Sequence, residues 1–395
     1  MKEGWEYKTL GECCEILNGY PFKSSLYSNS GIRVIRITNV QKGYVIDSNP
    51  KYYPESKINE ISNFILKNED ILISLTGNVG RVAILQKEFL PAALNQRVAC
   101  LRIKDMIVNK KFLFFYLNND LFEKLCIKNS TGAAQLNMST VWLKKQIIPI
   151  PSYDEQRRIV SYLDSSFKLI DEIKNKALKS LTEAKALFQS ALAEAMEPKE
   201  GWEEKTLGEI ATEMYRGSGI KRDQITPIGF PCLRYGEIYT TYNYSFSECI
   251  SHTNESIISP KKYFEKGDIL FAITGESVED IGKCIAYTGK EKCLLGGDIV
   301  AMKHNQYPQF LAYALSTKEA IRQKGLGKVK LKVVHTNIPA LKTIRIYLPN
   351  LSTQKQIVSH LDKLSSKVRA IEEKYQKMVE ECDALKQAML RDVFE

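Results

Sequence analysis

Apolar positions along this chain follow two rhythms, and the rhythms alternate. In the first 150 residues they come as short, β-branched runs at 32–37, 70–75, 81–85 and 98–103, separated by turns rich in Gly, Asn and Pro. Runs of that length and composition predict strands. The runs at 267–273 and 299–302 repeat the pattern further along. One helix is predicted in each stretch, over about 109–127 and 308–324. Each stretch therefore reads as an α+β domain with a mostly antiparallel or mixed sheet.

The second rhythm is helical and long. Pro151 and Pro349 close the preceding segments, and Ser152 or Asp154, and Ser352, are the expected N-caps. Beyond them Ile357, Leu361, Leu364, Val368, Ile371, Tyr375, Met378, Cys382, Leu385 and Met389 recur in alternating steps of four and three, an a/d seam. The earlier helix carries Ile159, Leu163, Ser166, Ile170, Ile173, Ala177, Ser180, Ala184, Leu187 and Ala191 at the matching places. Bulky residues on one seam facing small ones on the other predict that the two helices pair with each other, antiparallel, within one chain. An a/d stripe does not name its partner, so packing on the helix's own domain, or dimerisation, is the alternative. At ~1.5 Å per residue each helix is a rod of roughly 60 Å, which predicts two domains held apart and inverted.

The two rhythms alternate because the chain is duplicated. Gly4-Trp5-Glu6 with Thr9-Leu10-Gly11-Glu12 returns at an offset of 197 as Gly201-Trp202-Glu203 with Thr206-Leu207-Gly208-Glu209. Asp70-Ile71-Leu72 with Thr76-Gly77, and Pro151 with Gln156, return at 198 as Asp268-Ile269-Leu270 with Thr274-Gly275, and Pro349 with Gln354. The period is far longer than the roughly 20–50 residues of a solenoid unit. The expected division is 1–150, a first globular domain; 151–200, a central helix; 201–350, a second domain; and 351–395, a final helix.

Charge follows the same division. Residues 1–150 hold 20 Lys/Arg against 13 Asp/Glu and 201–350 hold 20 against 16, whereas 151–200 hold 8 against 9 and 351–395 hold 8 against 8. The surplus lies wholly on the two domains, which points them, and not the helices, at a polyanion. No window approaches ~18 apolar residues, and the amino terminus has no apolar signal core, so a cytoplasmic chain is expected. Nine cysteines without C-x-x-C and without matched positions read as free thiols.

Catalytic signatures do not occur. Gly325-Leu326-Gly327-Lys328 is too short for a phosphate loop and lacks its hydroxyl residue. The four histidines are scattered, and no nucleophile elbow or dinucleotide fingerprint is present. Asp70 and Asp268 follow turns at strand entries and read as turn residues. The chain is expected to be non-catalytic and to hold no metal or cofactor.

What remains is recognition. Arg, Asn and Gln present the paired donors and acceptors that read base edges in the major groove. Arg36, Asn39, Gln41, Asn78, Gln96 and Arg97 in the first domain, and Arg222, Arg234, Tyr235 and Glu276 in the second, are the candidate base readers. Lys23, Arg81, Lys221, Lys328, Lys330 and Lys332 are candidates for backbone phosphates. The framework repeats while these loops differ, which predicts two different half-sites.

In order and twice over, the G-W-x-x-x-x-L-G-E opening, the Asp-Ile-Leu strand leading to Gly77 or Gly275, and the Pro-to-Gln-to-Ile closing element resemble the specificity subunit of type I restriction–modification systems. The second closing element departs from the pattern, with Thr353 where Glu155 stands. The resemblance implies two pseudo-symmetric target-recognition domains separated by two long antiparallel helices. It implies a non-catalytic subunit that binds a split, asymmetric double-stranded DNA sequence, with the helices as ruler. The partners it implies are two methyltransferase subunits and restriction–translocase subunits, which would bring S-adenosylmethionine, ATP and Mg²⁺. A specificity subunit of a fused type IIB-like nuclease–methyltransferase would share these features, and a coiled-coil adaptor that binds no DNA would share the helices.

Overall fold

A computed structural model of the chain describes residues 4–104, 107–132, 135–278, 280–327 and 333–395. Two compact units divide it: Met1–Leu178 with Gln376–Glu395, and Lys179–Tyr375. The central helix, Tyr153–Ala195, and the carboxy-terminal helix, Leu351–Phe394, each contribute to both.

In the first unit Cys14–Asn18, Val98–Ile103, Ile71–Ser74 and Val82–Ile84 form an antiparallel sheet in that order. A second sheet places Ile32–Ile35 between Tyr52–Tyr53, antiparallel, and Ala92–Leu94, parallel. The four strands expected in this unit are present, each a little shorter than its apolar run except Val98–Ile103. In the second unit Ala211–Arg216, Ile299–His304, Ile269–Ala272 and Cys284–Tyr287 repeat the first sheet, with Ser245–Phe246 added parallel to its edge. Ile225–Thr226, Ser251–Thr253, Phe230–Leu233, Cys293–Leu295 and Tyr263–Phe264 form the other. Both units are mixed α+β.

Each helix expected as one piece is two. Lys110–Leu117 gives way to Asp120–Lys128, and Pro308–Ala314 to Lys318–Gly325. The breaks have a local cause. The Asn119 side chain accepts the Leu121 N–H at 2.9 Å and the Thr317 hydroxyl accepts the Ala320 N–H at 3.3 Å, so each caps a new helix where a longer one would otherwise continue.

The repeated motifs hold this frame. In Thr9-Leu10-Gly11-Glu12 the Glu12 carboxylate accepts the Thr9 N–H at 2.6 Å while the Thr9 hydroxyl accepts the Glu12 N–H at 3.2 Å, and Thr206 and Glu209 do the same. These are capping boxes. A Cβ at Gly11 would stand 3.0 Å from the Lys144 carbonyl oxygen, and one at Gly208 3.3 Å from that of Lys342, so the glycine admits the neighbouring turn. Trp5 packs edge-on against Phe112 and Trp202 against Phe310.

The glutamine of each closing element is fully buried, with both its amide nitrogen and its oxygen hydrogen-bonded. Gln156 Nε2 donates to the carbonyls of Pro151 and Ile107 at 2.9 and 2.8 Å, and its Oε1 accepts the Asn109 N–H at 2.7 Å. Gln354 Nε2 donates to the Pro349 carbonyl and to Gln306 Oε1, both at 2.8 Å, and its Oε1 accepts the Tyr307 N–H at 3.0 Å. Each ties the start of a long helix to the start of a domain helix, Lys110–Leu117 or Pro308–Ala314. Ser152 caps the central helix as expected, but Asn350, not Ser352, caps the other, its Oδ1 accepting the Thr353 N–H at 3.0 Å.

The two long helices pair antiparallel in each unit. In the first, Lys174 meets Asp383 and Lys386 meets Asp171, each at 2.6 Å, so residue numbers rise on one helix as they fall on the other. In the second, Phe188 and Leu192 share a core with Val358, Leu361 and Val368. The seam differs from the expected one at two positions on each helix. Ile159, Leu163, Ile170, Leu361 and Val368 are buried and Ile357, Leu364 and Met378 half-buried, but Ile173, Leu187, Ile371 and Leu385 are exposed. The inward position is one residue later: Lys174, Phe188, Glu372 and Lys386. A reading that prefers the more apolar of two neighbours misses a lysine whose stem is buried and whose ammonium reaches a partner helix. Lys386 lies over the Phe167 ring at 5.1 Å before it meets Asp171.

Candidate nucleic-acid interface

Strand register brings the candidate loops of each unit together. In the first, Asn18 pairs with Ala99, Ser74 with Val98, Ile73 with Val82, and Ile35 with Leu94. The carboxyl ends of four strands thus share one edge with the starts of two others. The loops leaving that edge, 19–23, 36–41, 75–81 and 95–97, are joined by main chain: Gln96 N–H donates to the Tyr20 carbonyl at 3.0 Å and Leu75 N–H to that of Arg97 at 2.9 Å.

Lys23, Asn78, Gln96 and Arg97 are exposed on this edge. Arg36 is half-buried. Its Nη2 donates to the Asn49 carbonyl at 2.7 Å, and its Nε is buried without a hydrogen-bond partner. Gln41 and Arg81 are half-buried and joined, Arg81 Nη1 donating to Gln41 Oε1 at 2.6 Å. Asn39 is 2 % exposed; its Oδ1 accepts the Arg36 N–H at 3.0 Å and its Nδ2 donates to the Ile46 carbonyl at 2.9 Å. That amide holds the 36–46 turn and does not face solvent, which separates it from the other candidates.

The second unit repeats the edge. Arg216 pairs with Val300, Ala272 with Ile299 and Leu233 with Leu295. Lys221, Arg222, Tyr235 and Glu276 are exposed and Arg234 is half-buried. Lys328, Lys330 and Lys332 lie outside the described residues. Here the turn after the strand is replaced by a helix, Tyr235–Thr240, that latches the next loop: the Tyr239 hydroxyl donates to the Thr274 and Asp280 carbonyls at 3.1 and 3.2 Å. Beneath it Lys283 Nζ donates to the Tyr239 and Tyr242 carbonyls at 3.4 and 3.3 Å, and burial holds its pKa below the ordinary lysine value.

A further segment reaches each edge that the sequence reading passed over. Asn137 bridges Thr76, and the Thr76 hydroxyl donates to Asn137 Oδ1 at 2.9 Å. His335 pairs with Thr274 in a short ladder, with Thr274 Oγ1 and His335 Nδ1 3.1 Å apart. Both Asn137 and His335 are exposed. The offset of 198 relates 76 to 274 and 137 to 335, but Asn at one position is His at the other, so no recurring motif marks the pair in the sequence.

Among the described residues no three His, Cys, Asp or Glu side chains are grouped so as to hold a metal ion, and no helix is long and apolar enough to cross a membrane. All nine cysteines are free thiols. Asp70 and Asp268 accept the Lys67 and Glu265 N–H groups at 2.8 and 3.0 Å, as turn residues should.

Two copies of one fold, each with a basic loop edge, accord with a known family pattern. The family model for the type I restriction modification DNA specificity domain matches residues 2–183 and again 199–381. The chain belongs to that family. As a chain of two specificity domains it is 32 % identical over 179 residues to the type I restriction enzyme EcoAI specificity subunit of Escherichia coli, a match covering 44 % of this chain and 30 % of that one. It is 24 % identical over 433 residues to the EcoBI specificity subunit of Escherichia coli, covering 100 % of this chain and 86 % of that relative. The chain thus spans about a third of the length of the first relative and most of the second. Among solved structures, one reported as the structural basis underlying complex assembly and conformational transition of the type I R-M system contains a chain with the same fold. The TM-score is 0.73 at 18 % identity, covering 100 % of this chain and 98 % of that one. Specificity subunits of type I systems are non-catalytic.

Proposed function

We propose that this chain is the DNA-reading subunit of a type I restriction–modification complex. One observation carries the reading: a closely similar frame occurs twice, and the two copies differ at the loop edge. Each edge takes one half of a bipartite, asymmetric double-stranded site. In residues 1–150 the readers are Gln96, Arg97 and Asn78, with Arg36 and Gln41 behind them; in 201–350 they are Arg222, Arg234, Tyr235 and Glu276. Lys23, Arg81, Lys221 and the lysines at 328, 330 and 332 take phosphates. Segments 151–200 and 351–395 set the spacer. Their outward apolar residues, among them Tyr162, Leu169, Ile173 and Leu187, suit docking of two methyltransferase subunits, with restriction subunits joining through them. Methylation, ATP-driven movement and cleavage, with S-adenosylmethionine, ATP and Mg²⁺, belong to those partners. The complex works in the cytoplasm.

The test is methylome sequencing of a host carrying this chain and its methyltransferase partners. A bipartite motif is expected, lost when the chain is deleted. Arg97→Ala and Arg222→Ala should each relax one half of the motif and leave the other, at about 1–3 kcal/mol for a bidentate base contact. An equal loss across all sequences would assign the residue to phosphate instead. A heptad inserted into both long helices should lengthen the spacer, and an unchanged spacer would remove the helices from that role.

A further inference from the structure

Asn137 and His335 are one position used twice with different chemistry. Each lies on the segment that reaches the loop edge after the helix Asp120–Lys128 or Lys318–Gly325. Each is exposed, and each is clasped by the threonine that opens the Thr-Gly turn. We infer that positions 137 and 335 are specificity-determining residues, each reading a base edge in its own half-site. The inference rests on the DNA-reading role proposed above and adds residues to it that lie outside the loops considered so far.

The geometry favours base reading over a phosphate contact. Asn137 Oδ1 accepts from Thr76 at 2.9 Å and Nδ2 donates to the Gln135 carbonyl at 3.1 Å. Those two bonds fix the amide plane, yet they leave one lone pair on Oδ1 and one hydrogen on Nδ2. An amide so held presents an adjacent acceptor and donor, the pattern that matches adenine N6 and N7. Because the side chain is held before binding, little conformational freedom is lost when a base meets it. A phosphate would use only the single N–H and would gain nothing from the acceptor.

His335 meets its threonine through Nδ1, so only Nε2 is left for a ligand. One ring nitrogen makes one hydrogen bond, to a purine N7 or O6 or to a phosphate, and cannot make the paired contact of an amide. The frame around it is also firmer. Tyr239 holds the Thr274 carbonyl, and the Thr274–Gly275 strand pairs with Val334–His335, where the first unit has an isolated bridge. The duplicated clasp therefore offers a two-point reader on one unit and a one-point reader on the other. Greater discrimination is expected in the half-site read by the first unit.

The experiment is the same methylome measurement, on the complete complex, for Asn137→Ala, His335→Ala, Thr76→Val and Thr274→Val. Asn137→Ala should cut discrimination at a single base pair of one half-site by about 5- to 150-fold, and leave the other half-site as it was. His335→Ala should relax one base pair of the other half-site by less. Thr76→Val should relax the same base pair as Asn137→Ala, because it frees the amide without removing it; a misfolded unit would instead lose the whole half-site. If the wild-type complex gives a bipartite motif and the Asn137 and His335 variants give the same motif, these residues are not readers and the inference falls while the DNA-reading role stands. If both variants weaken all sites alike, they contact phosphate and the inference also falls. If the wild-type complex yields no motif, the DNA-reading role fails and takes the inference with it.

Discussion

The two units agree where the sequence repeats and part company where charge is buried. Thr9 and Glu12, Gly11, Trp5 and Gln156 find the same partners as Thr206 and Glu209, Gly208, Trp202 and Gln354. Asp70 and Asp268 do not. Both are nearly inaccessible, but Asp70 receives Arg102 Nε at 3.0 Å and Nη2 at 2.8 Å, whereas the cation beside Asp268 among the described residues is Lys303 at 3.6 Å. Burial raises the Asp268 carboxyl above the usual range, with the Lys303 ammonium opposing it. A like contrast occurs in the helices Asp120–Lys128 and Lys318–Gly325, where Cys126 in one unit and Lys324 in the other fill the same place beside a glycine. The Lys324 amine is buried, donates to the Gly282 carbonyl at 3.0 Å, and is held below its ordinary pKa by that burial. A recurring residue thus marks an identical local structure only when its partner recurs as well.

That contrast gives the largest expected difference. Asp70→Asn leaves the Arg102 guanidinium, itself mostly covered, without its carboxylate, and should destabilise the first unit by about 2–3 kcal/mol. Asp268→Asn keeps an acceptor for the Glu265 N–H and removes a charge that burial already opposes, so its cost should stay within about 1 kcal/mol. Hydrogen exchange of the sheet amides, read separately for the two units against denaturant, measures both. Equal losses would mean that Lys303 serves Asp268 as fully as Arg102 serves Asp70.

A second difference depends on pH. His304 closes the Ile299–His304 strand of the second unit, its Nδ1 accepts the Gln306 N–H at 3.1 Å, and its Nε2 is buried. Burial lowers its pKa to about 4. The unfolded chain, with an ordinary histidine pKa near ~6.5, then binds the proton more readily than the fold. Stability from this group is complete above that value and is lost as pH falls from about 6.5 toward 4, by roughly 2 kcal/mol once pH 5 is reached. The same exchange measurement at pH 7 and pH 5 should show the second unit weakening, and His304→Gln should remove that part of the pH dependence. A pH response unchanged by the substitution would place the titrating group elsewhere.

How much of this was legible in the sequence depends on whether a residue acts on its neighbours or across the fold. The strands at 71–74 and 98–103, the turn role of Asp70 and Asp268 and the Ser152 cap all depend on residues a few positions away, and periodicity and turn chemistry expose such things. The helix break at Asn119 was as local, but two apolar runs on either side masked the cap between them. The seam was half legible. Its register is set by what faces each helix, and no one-helix pattern shows that Lys174 reaches Asp383 while Ile173 looks outward. At the loop edge the candidates were chosen by residue type, which cannot tell the exposed Gln96 from Asn39, whose amide is used within its own turn. Asn137 and His335 went unnoticed for the opposite reason: they lie in a segment of no evident character, and only pairing with Thr76 and Thr274 gives them a place.

The smallest expected effect tests the sameness of the units directly. Thr9 and Thr206 each cap a single-turn helix with reciprocal bonds to a glutamate three residues on, and the bond lengths in the two boxes agree within 0.1 Å. Alanine at either threonine removes the hydroxyl that accepts the glutamate N–H and leaves the glutamate's own bond to the cap N–H in place. Each should cost about 1 kcal/mol, confined to its own unit. The neighbours of the two boxes are not the same: Arg345, paired with Glu204 at 3.1 Å, lies opposite Thr206 in the strand ladder, whereas Ile147 lies opposite Thr9. If the boxes act through their own bonds, the two alanine variants lose equal stability despite that difference. If the cost at Thr206 is the smaller and the gap closes at high salt, the nearby cation supports the Glu209 carboxylate, and even this most faithful repeat is local in its bonds but not in its electrostatics.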